Sequence, residues 1–172
     1  MEFRWLGILL VMAGSVCSGI WYRTRYLGRL ANLRECQRAL SVLRGEIQYG
    51  RTPLPEACRE VEARVSGVCR QFFRETAEEL EQGAGSVEDV WKETTLRLYS
   101  SLQMGAKERE EWMRLGSTLG YLDVEMQLRT VDLYVQRLQT SIDQADRECR
   151  NRSRLYPLLG TFGGVLICLV LV

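Results

Sequence analysis

The last fifty residues constrain the fold most, because an apolar heptad repeat runs directly into a stretch without charge. Within this repeat, apolar or small residues recur at alternating gaps of four and three, which places them on one face of a packed helix. Residues 155–172 then carry no charge and are long enough to cross a bilayer as a helix. The repeat consists of Val124, Leu128, Val131, Val135, Leu138, Ile142, Ala145 and Cys149. We therefore predict one long helix that begins at Asp123 in a bundle and ends in a membrane.

Two partners could bury the heptad repeat. The whole helix would be roughly 70 Å long at about 1.5 Å per residue, which is more than one globular core can cover. Its first half therefore needs protein partners and its second half needs lipid. We favour the chain's own helices as the protein partner. A homodimeric coiled coil is the alternative, because so short a repeat does not fix the oligomeric state.

The N-terminal segment contains a second uncharged stretch. The 18 residues between Arg4 and Arg23 carry no charge, which is just enough for a membrane-spanning helix. A cleaved signal peptide is the competing interpretation. We favour a retained anchor, because Glu2 lies with Arg4 before the apolar residues and no small-residue cleavage site follows them. The predicted domains are transmembrane helices at 1–22 and 155–172 and a helical bundle at 23–154.

The positions of the arginines predict the orientation of the spans. Three arginines between 23 and 29 follow the first span and four between 147 and 154 precede the second, whereas Arg4 alone flanks the other side. The positive-inside rule then places the bundle in the cytoplasm and both termini outside. Gly160 and Gly164 form a G-x-x-x-G pattern, which lets membrane helices approach closely. We therefore expect the two spans to pack on each other.

The region between the spans has the apolar periodicity of helices throughout, and no alternating pattern is strong enough to predict a sheet. Breaks containing glycine divide it into about six helices with short connections. The first helix, which extends to about Tyr49, is expected to pack against the heptad repeat because both helices leave the membrane together. The breaks lie at Gly50, 66–67, 83–85, Gly105 and Gly120. The predicted fold is an all-α cytoplasmic bundle of about six helices with a transmembrane helix at each end.

Local signals mark several helix starts and one close contact. Thr52 stands before a proline and is expected to cap the next helix. Ser86 and Asp89 have the spacing of a capping box, and Asp123 is expected to cap the long helix. Gly116 lies among the apolar residues of the preceding helix. We expect a neighbouring helix to come close at that glycine.

Composition argues against several classes of function. The chain has no histidine, and its six cysteines include no C-x-x-C pair, so neither a metal site nor a cofactor site is predicted. The cysteines are instead expected to be small buried residues in a reducing compartment. Residues 23–154 carry 22 basic and 21 acidic side chains, which disfavours nucleic-acid binding. No nucleophile is aligned with a base, so we predict that the protein is not an enzyme.

Two segments carry a resemblance to a known family. The segment 46–57, EIQYGRTPLPEA, resembles the E-I-x-Y-x-x-T-P-L-x-E-A signature of the stage III sporulation protein AB family of endospore-forming bacteria. The segment 115–127 is similar to a second signature, L-G-x-x-L-G-x-x-D-x-x-x-Q. The residues matched are Glu46, Tyr49, Thr52, Pro53, Leu54, Glu56, Ala57, Gly116, Leu119, Gly120, Asp123 and Gln127. They are candidate structural or interaction residues, without a catalytic role.

The resemblance implies a cellular location and binding partners for the chain. The family looks like a shortened relative of the platform protein of type II secretion and type IV pilus systems, whose cytoplasmic domains are six-helix bundles. By that resemblance, the chain would lie in the mother-cell membrane around the forespore. It would couple the stage III sporulation ATPase AA to other membrane proteins of the same complex, without hydrolysing nucleotide itself. The complex would be secretion-like and would connect the mother cell and the forespore.

Two surfaces could bind the ATPase. One is the acidic face formed by Glu75, Glu78, Glu79 and Glu81 and extending to Glu93, and the other is the arginine-rich region near the membrane.

The alternative function is a membrane-tethered coiled-coil scaffold or sensor that acts as a dimer through the heptad repeat.

Overall fold

The computed structural model describes the backbone of residues 27–50, 52–121 and 123–171, and the side chains of residues 27–50, 52–120 and 123–147. Every regular element in these ranges is helical, which confirms the all-α class. Helix α1 occupies residues 27–45 and ends in a π-helical turn, Glu46–Gly50. The helices that follow are α2 (Leu54–Arg64), α3 (Gly67–Glu81), α4 (Val87–Arg97), α5 (Tyr99–Leu102), α6 (Ala106–Tyr121) and α7 (Val124–Leu171).

The chain divides into two compact units. One is the helical bundle, Arg29–Asp143, and the other combines the two ends of the chain, Met1–Gly28 and Gln144–Val172. Over the ranges in which side chains are described, no helix is long and apolar enough to cross a membrane. The predicted first span lies outside the described residues. The predicted second span is helical up to Leu171, but its side chains, including those near Gly160 and Gly164, lie outside the described ones.

Helices α1 and α7 pair in antiparallel directions within the bundle. The Gln37 amide donates a hydrogen bond to the Gln139 side-chain oxygen at 2.8 Å. Arg44 binds the Asp132 carboxylate through two nitrogens, at 2.5 and 3.2 Å. As the residue number rises along α1 it falls along α7, which confirms that the long helix lies against the first helix of the same chain.

Four of the seven described members of the heptad repeat are buried, whereas Leu128 and Val135 are partly exposed. Val131, Leu138, Ile142 and Ala145 are at most 5 % exposed. The prediction fails at Val124, which is 53 % exposed. Val124 is the first residue of α7, so the helix has not yet reached the neighbours that cover its later turns.

An aromatic cluster from three helices fills the centre of the bundle. Phe72 and Phe73 of α3, Trp91 of α4 and Trp112 of α6 are fully buried. Ring centroids within this cluster are 4.9 to 6.3 Å apart. Most pairs meet edge to face, the arrangement that aromatic quadrupoles favour. The Trp91 indole nitrogen also donates to the Trp112 backbone oxygen at 2.8 Å, which joins α4 to α6.

Gly116 is the point at which α4 and α6 come closest. A Cβ atom at this position would lie only 2.5 Å from Cγ of Trp91 and 2.6 Å from its Cβ. Glycine is therefore required for the Trp91 side chain to lie this close to α6, which confirms the expected close contact.

Two of the three predicted helix caps are present. The Asp89 backbone amide donates to Ser86 Oγ at 3.2 Å, and that hydroxyl donates to the Asp89 carboxylate at 2.6 Å. The Met126 amide donates to the Asp123 carboxylate at 2.9 Å. The prediction for Thr52 is wrong, because α2 begins one residue later than a Thr52 cap requires and has no side-chain cap.

The first turn of α2 explains why no threonine cap is needed. Pro53 takes the cap position with extended backbone angles, φ −54° and ψ 146°, and a second proline lies within the first turn. A proline has no N–H group, so the turn has one donor fewer to satisfy. The helix predicted to run from Val87 to Gly105 is also divided, because a turn at Leu98 separates α4 from α5.

Candidate functional site

The two family-like segments meet at one end of the bundle. The contacts of Gln37 with Gln139 and of Arg44 with Asp132 fix the register of α1 against α7. Continuing that register along both helices brings residues 48–50 to about the level of residues 126–128. The segments 46–57 and 115–127 are far apart in sequence, yet this antiparallel pairing brings them to the same end. We call it the motif end.

Several of the predicted site residues hold the motif end together. Ala57 is fully buried, and the Glu46 carboxylate lies 3.3 Å from the Arg64 guanidinium on α2. Leu119 is 3 % exposed, and its backbone oxygen accepts a hydrogen bond of 2.7 Å from the Gln127 side chain. That bond joins the first turns of α7 to the end of α6. The side chains of Glu46 and Gln127 thus contact neighbouring helices, whereas Ala57 and Leu119 are buried.

The remaining predicted residues of the two segments have other surroundings. Pro53, Glu56, Gly120 and Asp123 are exposed, whereas Thr52 and Leu54 are partly exposed. A Cβ atom at Gly120 would meet Val87 of α4 at 3.3 Å, so α4 and α6 remain close one turn beyond Gly116.

Among the side chains that the structure describes, three large apolar ones are exposed at the motif end. Tyr49 is 80 % exposed, Val124 is 53 % exposed and Met126 is 46 % exposed. Tyrosine and methionine are enriched in protein interfaces relative to the rest of the surface. Tyr49 also lies in the π-helical turn, a feature that often occurs at functional sites. We call Tyr49, Val124 and Met126 the motif-end patch.

Sequence reasoning found only one member of the motif-end patch. Tyr49 belongs to the first family-like segment, but Val124 was predicted to lie inside the heptad repeat and Met126 was not singled out. The apolar spacing of α7 contains no signal for the exposure of its first turn. Only the register between α1 and α7 shows that the three side chains lie at the same end.

The acidic face of α3 is occupied by arginines of the neighbouring helices. Arg59 of α2 lies 2.8 Å from the Glu81 carboxylate and 3.7 Å from that of Glu78. Arg97 of α4 bridges the next pair, at 2.5 Å from Glu79 and 3.3 Å from Glu75. The hydrogen bond from the Arg59 guanidinium lowers the pKa of the Glu81 carboxyl. A basic partner would therefore have to displace arginines that already bind these carboxylates.

The described cysteines are buried thiols, in agreement with the sequence prediction. Cys36, Cys58 and Cys69 are at most 1 % exposed, and the sulfur atoms of Cys36 and Cys69 lie 2.9 Å apart. Burial raises the pKa of the Cys58 thiol to about 12, so it stays protonated at neutral pH. Thiolates, not thiols, act as nucleophiles and metal ligands. Among the residues that the structure describes, no cluster of three or more cysteines and carboxylates could hold a metal ion.

The Cys58 thiol should make the bundle less stable at alkaline pH. An unfolded thiol ionises near pH 9, but the native one does so only near pH 12. The unfolded state therefore binds fewer protons between these values, and the free energy of unfolding falls as pH rises. One thiol contributes about 1.4 kcal/mol per pH unit in this window. In urea unfolding of the full chain in detergent, Cys58→Ala should lose less stability than the wild type between pH 8 and 10.5.

A surface substitution provides the control for the pH measurement. Ser100→Ala changes an exposed residue of α5 that does not ionise in this pH range, and should leave the difference between the two pH values unchanged. Equal pH dependence in Cys58→Ala and the wild type would mean that Cys58 is not a protonated buried thiol.

Comparisons with known proteins agree with the resemblance of the two segments. The model of the family "Stage III sporulation protein AB" matches residues 4–172. The stage III sporulation protein AB of Bacillus subtilis (strain 168) is 25 % identical over 166 residues, which cover 96 % of this chain and 97 % of that protein. A solved structure of a stage III sporulation protein AB has a TM-score of 0.67 and 25 % identity, and the match covers 72 % of this chain and 97 % of that one. The chain therefore belongs to the stage III sporulation protein AB family.

Proposed function

We propose that the chain is a non-catalytic platform component of a sporulation-specific, secretion-like complex that connects the mother cell and the forespore. Two membrane spans would hold it in the mother-cell membrane, and its bundle would couple a cytoplasmic ATPase to membrane proteins. Family membership supports the role in sporulation. The observation that carries the adaptor role is the exposed apolar patch at the end where both family-like segments meet.

The course of the two longest helices supports a mechanical role. The bundle unit begins at Arg29 in α1 and ends at Asp143 in α7, and the antiparallel pairing puts these two chain boundaries at one end of the bundle. In the sequence, the uncharged stretch 5–22 precedes the first of these boundaries and the uncharged stretch 155–172 follows the second. The motif-end patch lies at the opposite end of the same two helices. A force applied to the patch would therefore act along α1 and α7 within the bundle, and both helices continue in sequence into the proposed membrane spans.

The proposed docking surface for the ATPase is the motif-end patch. The acidic face of α3 is a weaker candidate, because Arg59 and Arg97 already pair with its carboxylates. The motif-end patch instead offers an aromatic and a thioether side chain with 80 % and 46 % exposure. A few residues carry most of the binding energy in protein interfaces, and tyrosine is enriched among them. The expected partner is the stage III sporulation ATPase AA.

Replacing Tyr49 and Met126 together by serine should abolish copurification of the ATPase with the full chain from sporulating cells. Loss of a side chain at an interface hot spot costs about 2 kcal/mol or more, so two such losses weaken binding by a factor of roughly 1,000. Both residues are exposed, so the thermal unfolding of the bundle should change little. The measurement is the amount of ATPase retained per adaptor.

Two variants serve as controls for the copurification. Leu96→Ser combined with Tyr99→Ser removes a comparable exposed pair, 54 % and 45 % exposed, from the opposite end of the bundle and should retain the ATPase. Reversal of charge at Glu78, Glu79 and Glu81 tests the acidic face. Full retention by the Tyr49 and Met126 variant, with loss in the acidic-face variant, would transfer the docking site to α3.

The dimeric scaffold has less support than the platform. Its interface would be the heptad repeat, but Val131, Leu138 and Ile142 are already buried in the bundle of a single chain. A dimer through this face would first have to separate α7 from its own bundle.

A further inference from the structure

We propose that a second exposed patch, formed by Leu96, Tyr99, Lys107 and Arg109, lies on the anionic surface of the membrane that anchors the chain. This inference rests on the proposed membrane spans. It assigns α5 and the start of α6 a lipid-binding role, in which acidic headgroups contact the two cations and the two apolar side chains enter the interface. We call these four residues the α5 corner.

The α5 corner lies at the end of the bundle that is opposite to the motif end. The Arg29 guanidinium binds both oxygens of Glu108 on α6, at 2.8 and 3.0 Å. The Asn32 amide donates to the backbone oxygens of Ser101 and Leu102, at 3.1 and 3.4 Å. These bonds fix α5 and the first turn of α6 to the first turns of α1 in the bundle.

Chain length limits how far this end can be from the bilayer. Arg29 is the first residue of the bundle unit, and the uncharged N-terminal stretch ends at Tyr22, seven residues earlier. Seven residues span at most about 25 Å even when fully extended. The α5 corner is thus held within reach of the lipid headgroups once the first span is inserted.

The chemistry of the α5 corner suits an anionic membrane surface. Leu96 is 54 % exposed and Tyr99 is 45 % exposed, and the Arg109 guanidinium carbon lies 4.5 Å from the centre of the Tyr99 ring. Lys107 is exposed on the same turn of α6. Tyrosine beside cations is typical of the membrane interface, where the ring lies among headgroups and the cations attract acidic lipids.

Nearby carboxylates do not cancel the cations of the α5 corner. Glu108 lies between Lys107 and Arg109, but its carboxylate is bound by Arg29. Glu110 lies 3.6 Å from Arg114, an arginine outside the corner. Arg97 is adjacent in sequence but is paired with the acidic face of α3. Lys107 and Arg109 are therefore not neutralised by Glu108 or Glu110, and Glu93 on α4 is the remaining exposed carboxylate near Leu96.

A surface that is tethered to a membrane can bind lipid even when its own affinity for lipid is low. Each basic residue near an acidic membrane strengthens the attraction by roughly fivefold, so two give roughly 25-fold at low salt. A free protein with so small a patch would bind lipid poorly. The proposed span keeps the corner within reach of the bilayer, which raises its effective concentration of lipid.

The test places an environment-sensitive fluorophore at the corner of the full chain in nanodiscs. Ser100→Cys gives an exposed label next to Tyr99, in a chain whose Cys17, Cys149 and Cys168 are changed to serine while the buried thiols stay. Brominated lipids should quench this label strongly in nanodiscs with 30 % phosphatidylglycerol. In pure phosphatidylcholine the quenching should fall at least fivefold. A label at Glu88→Cys, an exposed position at the motif end, should be unquenched in both lipids.

Two double variants separate the contribution of the cations from that of the apolar side chains to the lipid contact of the α5 corner. Lys107→Gln with Arg109→Gln should remove the preference for acidic lipid. Leu96→Ser with Tyr99→Ser should remove most of the quenching. Equal quenching at positions 100 and 88, or none at position 100 in acidic nanodiscs, would overturn the proposal. Shielding of position 100 that appears in native membranes but not in nanodiscs would also overturn it, since it would indicate a protein partner.

Failure of this inference can be distinguished from failure of the proposed function. Resistance of the full chain to extraction from membranes at alkaline pH reports the insertion of the spans. Extraction of the wild type would contradict the membrane anchoring on which both proposals depend. Resistance to extraction without quenching at position 100 would leave the spans in place and refute only the lipid contact of the α5 corner.

Discussion

Gly116→Ala is expected to lower the free energy of unfolding of the bundle by about 1–3 kcal/mol, the usual cost of overpacking a core. The added methyl group would meet Cγ and Cβ of Trp91 at 2.5 and 2.6 Å. Trp91 cannot easily move, because it is fully buried and its indole nitrogen is hydrogen-bonded to Trp112. Alanine has a higher helix propensity than glycine by about 1 kcal/mol, but the steric conflict outweighs that gain.

The control for Gly116→Ala is the same substitution at a helical glycine with free space. A Cβ atom at Gly45 would have no neighbour within 4 Å, so Gly45→Ala should leave stability unchanged or raise it. Urea unfolding of the full chain in detergent, followed by tryptophan fluorescence, measures both variants. In a Trp91→Leu background, whose smaller side chain can turn away from position 116, Gly116→Ala should cost less by about 1 kcal/mol. A stabilising Gly116→Ala would contradict the close contact.

Phe72→Ala should be the most destabilising single substitution in this set, at about 3–5 kcal/mol. The Phe72 ring is fully buried, and its centroid lies 4.9 Å from that of Trp91, 5.3 Å from that of Trp112 and 5.4 Å from that of Phe73. Its removal leaves a cavity between α3, α4 and α6. Domains of this size are stable by only about 5–15 kcal/mol, so the variant would lose a large share of its stability.

Volume-conserving and surface controls separate cavity formation from other effects. Phe72→Leu keeps most of the apolar volume and should cost much less than Phe72→Ala. Leu96→Ala removes an exposed apolar side chain and should change stability by no more than about 0.5 kcal/mol. Thermal unfolding followed by near-ultraviolet circular dichroism compares the three. Equal melting temperatures for Phe72→Ala and the wild type would refute the aromatic cluster as the centre of the core.

Local sequence signals predicted the helices and much of the core. Apolar periodicity indicated the all-α fold, because residues three or four apart lie on one face of a helix. The Ser86 and Asp89 capping box and the Asp123 cap depend only on neighbours within one turn, so a single sequence contains all the information that they require. The close helix contact at Gly116 was predictable, because a glycine within the apolar face of a helix usually marks the close approach of a neighbouring helix.

Features that depend on contacts between distant segments were not predictable. The pairing of the four α3 carboxylates with arginines was not predicted, since nothing in the sequence shows that Arg59 and Arg97 lie on either side of them. The exposure of Val124 depends on where α7 first meets its neighbours. The motif-end patch likewise requires the register of α1 against α7, which long-range packing fixes and local propensity does not.

The close approach at Gly116 makes the residues allowed at positions 91 and 116 depend on each other during evolution. Because the Trp91 indole occupies the space that a side chain at position 116 would need, neither residue can be exchanged freely while the other stays. A homologue with a larger residue at position 116 should have a smaller one opposite it, and a lineage passing from one pair to the other is expected to cross a less stable intermediate. The two positions are thus expected to covary as this family diverges.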